Sequence, residues 1–213
     1  MTSKTTAHRI EADRREHLGA LRRQQEHAQQ RRGLLLRAGW AAAGVLIVVV
    51  VAAMMLTSRP TSTSLTRTAP DFTLTSTAGT SVHLADYRGR QNVLLYFSEG
   101  AGCAPCLTQM AAIEKDKAAF DAAGVAVLPI VMNSKAQIAT DMQQNGVTTP
   151  FLLDDGTVSK AYDTLGKGMH ADLPGHGFVL IDKTGMQRWY GEYPSMWIAP
   201  TDLLAQVTQH LKG

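Results

Sequence analysis

The sequence predicts an α/β domain, a mixed central sheet with helices on both faces, carried behind one N-terminal transmembrane helix. Three observations predict it. A run of 19 residues without a charge, AGWAAAGVLIVVVVAAMML, separates a basic leader from a Ser/Thr/Pro-rich stretch. Beyond it, short continuous apolar runs alternate with longer segments of helical spacing. Further on, GFVLIDKTGMQRWY reads as two strands joined by a tight turn.

The leader, residues 1–37, carries nine Lys+Arg against four Asp+Glu, whereas residues 57–213 carry 12 against 14. The formal net charge of +3 therefore describes the tail and not the domain. A basic nucleic-acid-binding face is not expected on the folded part. His8, His17 and His27 of the tail read as surface residues. As a helix, Ala38–Leu56 would span about 28 Å, close to the hydrocarbon thickness of a bilayer. Arg31, Arg32 and Arg37 precede it and only Arg59 follows, so the N-terminus is expected in the cytoplasm. The expectation is a single-pass plasma-membrane protein whose main domain faces the cell envelope. A cleaved export signal is the alternative, since RRGLLL resembles a twin-arginine signal and Val51–Ala53 a cleavage site. Both the leader and the apolar run are long for that reading. Either route places the domain in an oxidising compartment. Residues 57–68 read as a flexible linker and 69–213 as the folded domain.

The elements follow in order. DFTLTSTAGTSVHL holds two alternating runs around Ala78-Gly79, a hairpin signal. NVLLYF, Asn92–Phe97, is a strand apolar on both faces. A helix is expected from about Cys103 to Ala123, ended by Gly124. VAVLPIVM is a second buried strand; SKAQIATDMQQNG is a helix with Ser134 as its cap and Gly146 beyond its end. PFLLD and GFVLID are further strands, and MQRWY returns beside the latter. PTDLLAQVTQHL closes the chain as a helix, with Thr201 as the expected cap.

The chemistry-bearing stretch is SEGAGCAPCLTQM, which holds Cys103 and Cys106, the only cysteines of the chain. The pattern puts Cys103 at the mouth of the helix that follows a buried strand. Unpaired N–H groups and the positive end of the dipole favour a thiolate there. Cys106 lies one turn on, within disulfide reach. Cys103 is then the more exposed, attacking sulfur and Cys106 the more buried, resolving one. Pro105 lacks an N–H, at no cost in a first helical turn. A structural staple would close a very short loop, where chain-entropy stabilisation is least. A zinc clip would have to take its remaining ligands from histidines, since a second cysteine pair is absent.

From about Ala69 to Trp197 the chain resembles the thioredoxin-fold redoxins, the group that holds alkyl-hydroperoxide-reductase-type peroxiredoxins and TlpA/ResA-like tethered thiol reductases. APDFTL, NVLLYF with CAPC, TPFLLDDGTVSKAYDTLG and GFVLIDKTG carry the resemblance. It implies a thioredoxin-like fold and a dithiol/disulfide couple, Cys103–Cys106, as the working group, with no organic cofactor. The departures are specific. Gly102 stands where tethered reductases usually have Trp. Laid on the peroxiredoxin pattern Pro-x-x-x-Thr-x-x-Cys, Cys106 is the peroxide-reactive position, Cys103 replaces the Thr and Glu99 the Pro. His176 falls where a peroxiredoxin Arg would be, and Pro174 lies two residues before the usual cis-proline position.

The resemblance implies disulfide exchange with exported proteins, Cys103 attacking and Cys106 resolving, served by a transmembrane electron donor or acceptor. Two alternatives follow from the same residues. One is hydroperoxide reduction with Cys106 as the peroxidatic sulfur. The other is a copper module of the Sco type built on Cys103, Cys106 and His176, with Met169 and His170 nearby. Glu99, Pro105, Pro174 and His176 are the expected walls and pKa-tuning groups of the site. The aromatic cluster Trp189, Tyr190, Tyr193 and Trp197, with Met196, is expected to cover core or sheet edge.

Overall fold

The computed structural model describes residues 37–56 and 59–212. The expectations for residues 1–36 lie outside the described residues. The chain divides after Leu56 into two units. In the first, α1 (Arg37–Leu56) is one helix of 20 residues, long and apolar enough to cross a membrane.

The second unit is built on one sheet of eight strands in the order β1-β8-β7-β4-β5-β6-β2-β3. β4 (Asn92–Phe97) is central. It runs parallel to β5 (Val125–Val131) and antiparallel to β7 (Gly177–Ile181). β8 (Met186–Glu192) pairs antiparallel with β7. On the other side β6 (Leu152–Leu153) follows β5 in parallel. The hairpin β2 (Thr73–Ser76) and β3 (Ser81–His83) completes that edge.

The period-two alternation of strand side chains divides the core. Leu94 and Tyr96 of β4 join Phe178 and Leu180 of β7 on one face. Val93, Leu95 and Phe97 join Val179 and Ile181 on the other. Both faces are apolar because both are covered. α2 (Ala104–Lys115), α3 (Lys117–Ala122), α4 (Lys135–Gln144) and α6 (Pro200–Leu211) bury Leu107, Phe120, Ile138 and Leu203 on the first face. The 3₁₀ turn Leu84–Tyr87 and α5 (Thr157–Ala161) bury Leu84 and Val158 on the second. Each such side chain contributes about 1.5–3 kcal/mol. The mixed, two-sided α/β architecture matches the expectation from the sequence.

Local chemistry explains several ends. Ser134 accepts from the backbone of Gln137, whose side chain returns to the Ser134 N–H at 2.8 Å, a complete capping box. Gly124 ends α3 with φ +67°. Asp154 caps the start of α5 by accepting from the N–H groups of Val158 and Ser159.

Four expectations are corrected. Residues 61–68, read as part of a linker, form β1 (Thr61–Thr68), antiparallel to β8. Alternating Thr and Ser suit an exposed edge strand. Two side-chain bonds hold it: Trp189 Nε1 donates to Ser62 Oγ at 2.7 Å, and Arg67 Nε donates to Gln187 Oε1 at 2.8 Å. The single helix expected over 103–123 breaks at Asp116, whose ψ of 12° leaves the helical range. The strand expected across PFLLD pairs only over Leu152–Leu153. α6 is entered through Ala199 with Pro200 in its first turn, so Thr201 lies inside the helix.

Candidate redox site

β4 delivers the chain to the loop 98–102, and α2 receives it. The loop turns through two left-handed glycines, Gly100 (φ +74°) and Gly102 (φ +86°). Two side chains from the neighbouring layer hold it. Ala101 N–H donates to Asn133 Oδ1 at 2.8 Å, and Gly102 N–H to Asp141 Oδ2 at 2.6 Å. The loop therefore places Cys103 as the N-cap of α2, with Pro105 in the first turn.

Cys103 and Cys106 are joined by a disulfide, with Cα atoms 5.3 Å apart. Cys103 is 6% exposed and Cys106 2%, the order expected from the sequence. A cavity of about 200 Å³ opens onto Cys106 rather than Cys103. Glu99 and His176 line it together with Cys106. Met169, Tyr193 and Met196 supply an apolar wall and Lys167 a cation. A cavity of about 240 Å³ under α2 and α3, lined by Met110, Phe120 and Val127, includes neither cysteine in its wall.

His176 sits at the start of β7 and is 4% exposed. Tyr96 Oη donates to the Cys106 carbonyl at 3.0 Å and also lies 3.2 Å from His176 Nδ1. Burial lowers the His176 pKa to about 4, so the ring is neutral at neutral pH. It supplies no fixed cation in place of the peroxiredoxin Arg. Burial likewise holds the Tyr96 phenol well above its ordinary value.

Glu99 is 5% exposed and serves as a clamp. Its Oε1 accepts from the N–H groups of Met169 at 2.8 Å and His170 at 3.2 Å. Its Oε2 pairs with His170 Nδ1 at 2.9 Å. Both carboxylate oxygens thus hold the loop that walls the cavity. Gln109, one turn beyond Cys106, ties α2 to the segment that follows Met196. Its amide donates to Ile198 O at 3.0 Å and accepts from Ile198 N–H at 2.8 Å.

Pro105 is exposed at the mouth of α2, and Pro174 is buried beside Leu165 in an isolated bridge. Neither lines the cavity. Among the described residues no cis peptide bond occurs, so Pro174 does not take the cis-proline position. Among the described residues no group of three His, Cys, Asp or Glu stands together as a metal site. The copper set of Cys103, Cys106 and His176 is not assembled; the two sulfurs bind each other.

Lys167, Tyr96, Tyr193 and Glu192 escaped the sequence reading as site residues. Tyr96 had a signal: it is the one polar-tipped side chain within the apolar run VLLYF. Glu192 closes β8, accepts from Tyr190 Oη, and is raised to about 7 by burial, against the pull of Lys167.

Comparison with known proteins places this geometry. Residues 65–189 match the AhpC/TSA family. A Mycobacterium tuberculosis protein whose name gives it as a peroxiredoxin is 36% identical over 100 residues, 46% of this chain. The match spans 63% of that relative's length. The thiol-disulfide oxidoreductase ResA of Geobacillus kaustophilus is 31% identical over 59% of this chain and 67% of its own. The reduced 2-Cys peroxiredoxin of Plasmodium vivax shares the fold, with a TM-score of 0.60 at 23% identity over 70% of this chain and 99% of its own. The chain belongs to the AhpC/TSA family of thioredoxin-fold redox proteins, with Cys103–Cys106 as its redox-active disulfide.

Proposed function

We propose that this protein is a membrane-tethered hydroperoxide reductase in which Cys106 meets the peroxide and Cys103 resolves it. The observation that carries the reading is the cavity, which opens onto Cys106 and not Cys103. This reverses the roles first expected of the two sulfurs. The Cys106 thiolate attacks the terminal oxygen of ROOH, the O–O bond breaks, and the alkoxide takes a proton to leave as ROH. The Cys106 sulfenic acid then condenses with the Cys103 thiol, releasing water and forming the disulfide. Dithiols of exported proteins, or a transmembrane electron donor, return the couple to its reduced state by exchange. The wall of Met169, Tyr193 and Met196 favours organic hydroperoxides over hydrogen peroxide.

The membrane placement rests on α1 and on the arginines that flank it. An 18-residue window of it has a mean hydropathy of 2.5, and Arg31, Arg32 and Arg37 precede the apolar run against Arg59 after it. The domain then faces the cell envelope. An alkaline phosphatase fusion after Lys212 tests this: it is active if the topology is right and silent if the domain is cytoplasmic.

Disulfide exchange is the second reading. Cys103 is the N-cap of α2 and the more exposed sulfur, and ResA is among the relatives. One experiment separates the two. Reduced protein is mixed with cumene hydroperoxide and dimedone. In Cys103→Ser, a single turnover should leave dimedone on Cys106; in Cys106→Ser, peroxide consumption should stop. Insulin reduction without peroxide consumption would favour exchange instead.

A further inference from the structure

The imidazole of His176 has one nitrogen fixed and one left over. A phenol has a single proton, and the proton of Tyr96 goes to the Cys106 carbonyl, which can only accept. His176 Nδ1 must therefore carry its own proton and donate to Tyr96 Oη. That leaves Nε2 as a bare lone pair. It is buried without a hydrogen-bond partner, on a side chain that lines the Cys106 cavity. A buried lone pair with no donor loses hydration without recompense, which calls for a reason.

We propose that His176 Nε2 is the proton carrier of the redox centre: it accepts the Cys106 thiol proton on reduction and surrenders it to the departing alkoxide. The inference rests on the Cys103–Cys106 couple being the working group and specifies where its proton resides. Reduction of the disulfide takes up two electrons and two protons. One proton stays on the Cys103 thiol. The other moves from the Cys106 thiol to Nε2, leaving a thiolate–imidazolium pair. When the thiolate attacks ROOH and the O–O bond breaks, Nε2 returns the proton to RO⁻, giving ROH. The ring is then neutral again beside the sulfenic acid.

The surroundings agree with a proton that comes and goes with the redox state. Besides Cys106 of α2, the titratable groups around the ring are Tyr96 of β4, Glu99 and Lys167 in the cavity wall, and Glu192 and Tyr193 on the β8 side. Glu99 is bonded to the Met169–His170 backbone and to the His170 ring. Glu192 accepts from Tyr190 Oη and from the His176 backbone N–H, not from the ring. Tyr193 donates its backbone N–H to His176 O. In the disulfide state Nε2 has no hydrogen-bond partner, and burial keeps the ring neutral. A thiolate at Cys106 supplies the missing counter-charge.

The test uses the reduced full-length chain. Alkylation of Cys106 by iodoacetamide, read by peptide mass spectrometry against pH, reports the thiolate. Near pH 6, wild type should alkylate about tenfold faster than His176→Gln, because the neutral amide cannot hold the proton. The two curves should meet near pH 9, where the thiol ionises unaided. A purely structural defect would lower the rate at all pH values and leave the shape unchanged. Should His176→Gln fold poorly, NMR of wild type decides: the His176 titration must move upward when the disulfide is reduced. Superimposable alkylation curves, or one histidine titration shared by both redox states, would overturn the proposal. A shifted alkylation curve without peroxide turnover would uphold the transfer from the Cys106 thiol to Nε2 and overturn its delivery to an alkoxide, together with the peroxidase reading.

Discussion

Replacing Glu99 tests whether the cavity is shaped by a clamp. The carboxylate holds three donors on residues 169 and 170. Hydrogen bonds to a charged acceptor are worth about 1.5–3 kcal/mol each. Met169 is 73% exposed, so water takes over much of what its N–H loses. About 1 kcal/mol per bond is the discounted figure, which puts Glu99→Ala at about 3 kcal/mol. For a domain of this size that lowers Tm by about 6–12 °C. Glu99→Gln keeps an acceptor for the backbone donors and should cost about 1 kcal/mol. Scanning calorimetry of the protein in detergent measures both. Trypsin adds a local readout, because Lys167 lies at the freed loop: cleavage there should rise in Glu99→Ala before global unfolding. In turnover, KM for an organic hydroperoxide should rise with kcat retained. A wild-type Tm with unchanged cleavage at Lys167 would refute the clamp. A fall in kcat at constant KM would place Glu99 in the chemistry instead.

Glu192 and His176 should impose opposite pH slopes on stability. Burial raises Glu192 from 4.5 to about 7, so its contribution is present below the unfolded value and is lost as pH rises toward 7. Burial lowers His176 from 6.5 to about 4, so its contribution is present above 6.5 and is lost as pH falls toward 4. Denaturant titrations should show Glu192→Gln losing more stability than wild type on acidification, and His176→Gln losing less; parallel curves would contradict both. Gly100→Ala should destabilise by about 2 kcal/mol, since it imposes a Cβ on a left-handed residue. That Cβ would meet Val131 Cγ1 at 2.8 Å, and an unchanged urea midpoint would disprove the constraint. Ser134→Ala removes the cap of α4 and should cost about 1 kcal/mol by the same titration.

The central strands were legible because they are apolar on both faces. NVLLYF and GFVLI have no polar alternative to a doubly covered position. The sulfurs were legible because their spacing and the preceding strand together name a helix mouth. β1 was not, because Thr and Ser serve a linker and an edge strand equally well, and only β8 decides between them. The break at Asp116 was hidden because Lys115–Ala122 has good helical spacing throughout. Site residues far along the chain depend on return paths that no local pattern encodes. His176 could be placed by resemblance; Lys167 and Glu192 could not. The roles now proposed for the sulfurs were out of reach of the sequence for a related reason. Exposure and capping favour Cys103, but the cavity is formed on the Cys106 side by residues 167–169 and 193–196.

The reciprocal amide of Gln109 ties the body of α2 to Ile198, in the segment that carries Met196. The sulfur–sulfur bond closes the turn ahead of Gln109, so this anchor lies outside the segment that the bond spans. On the proposed reading, girth at the threshold of the Cys106 cavity would sort incoming hydroperoxides before any bond is exchanged.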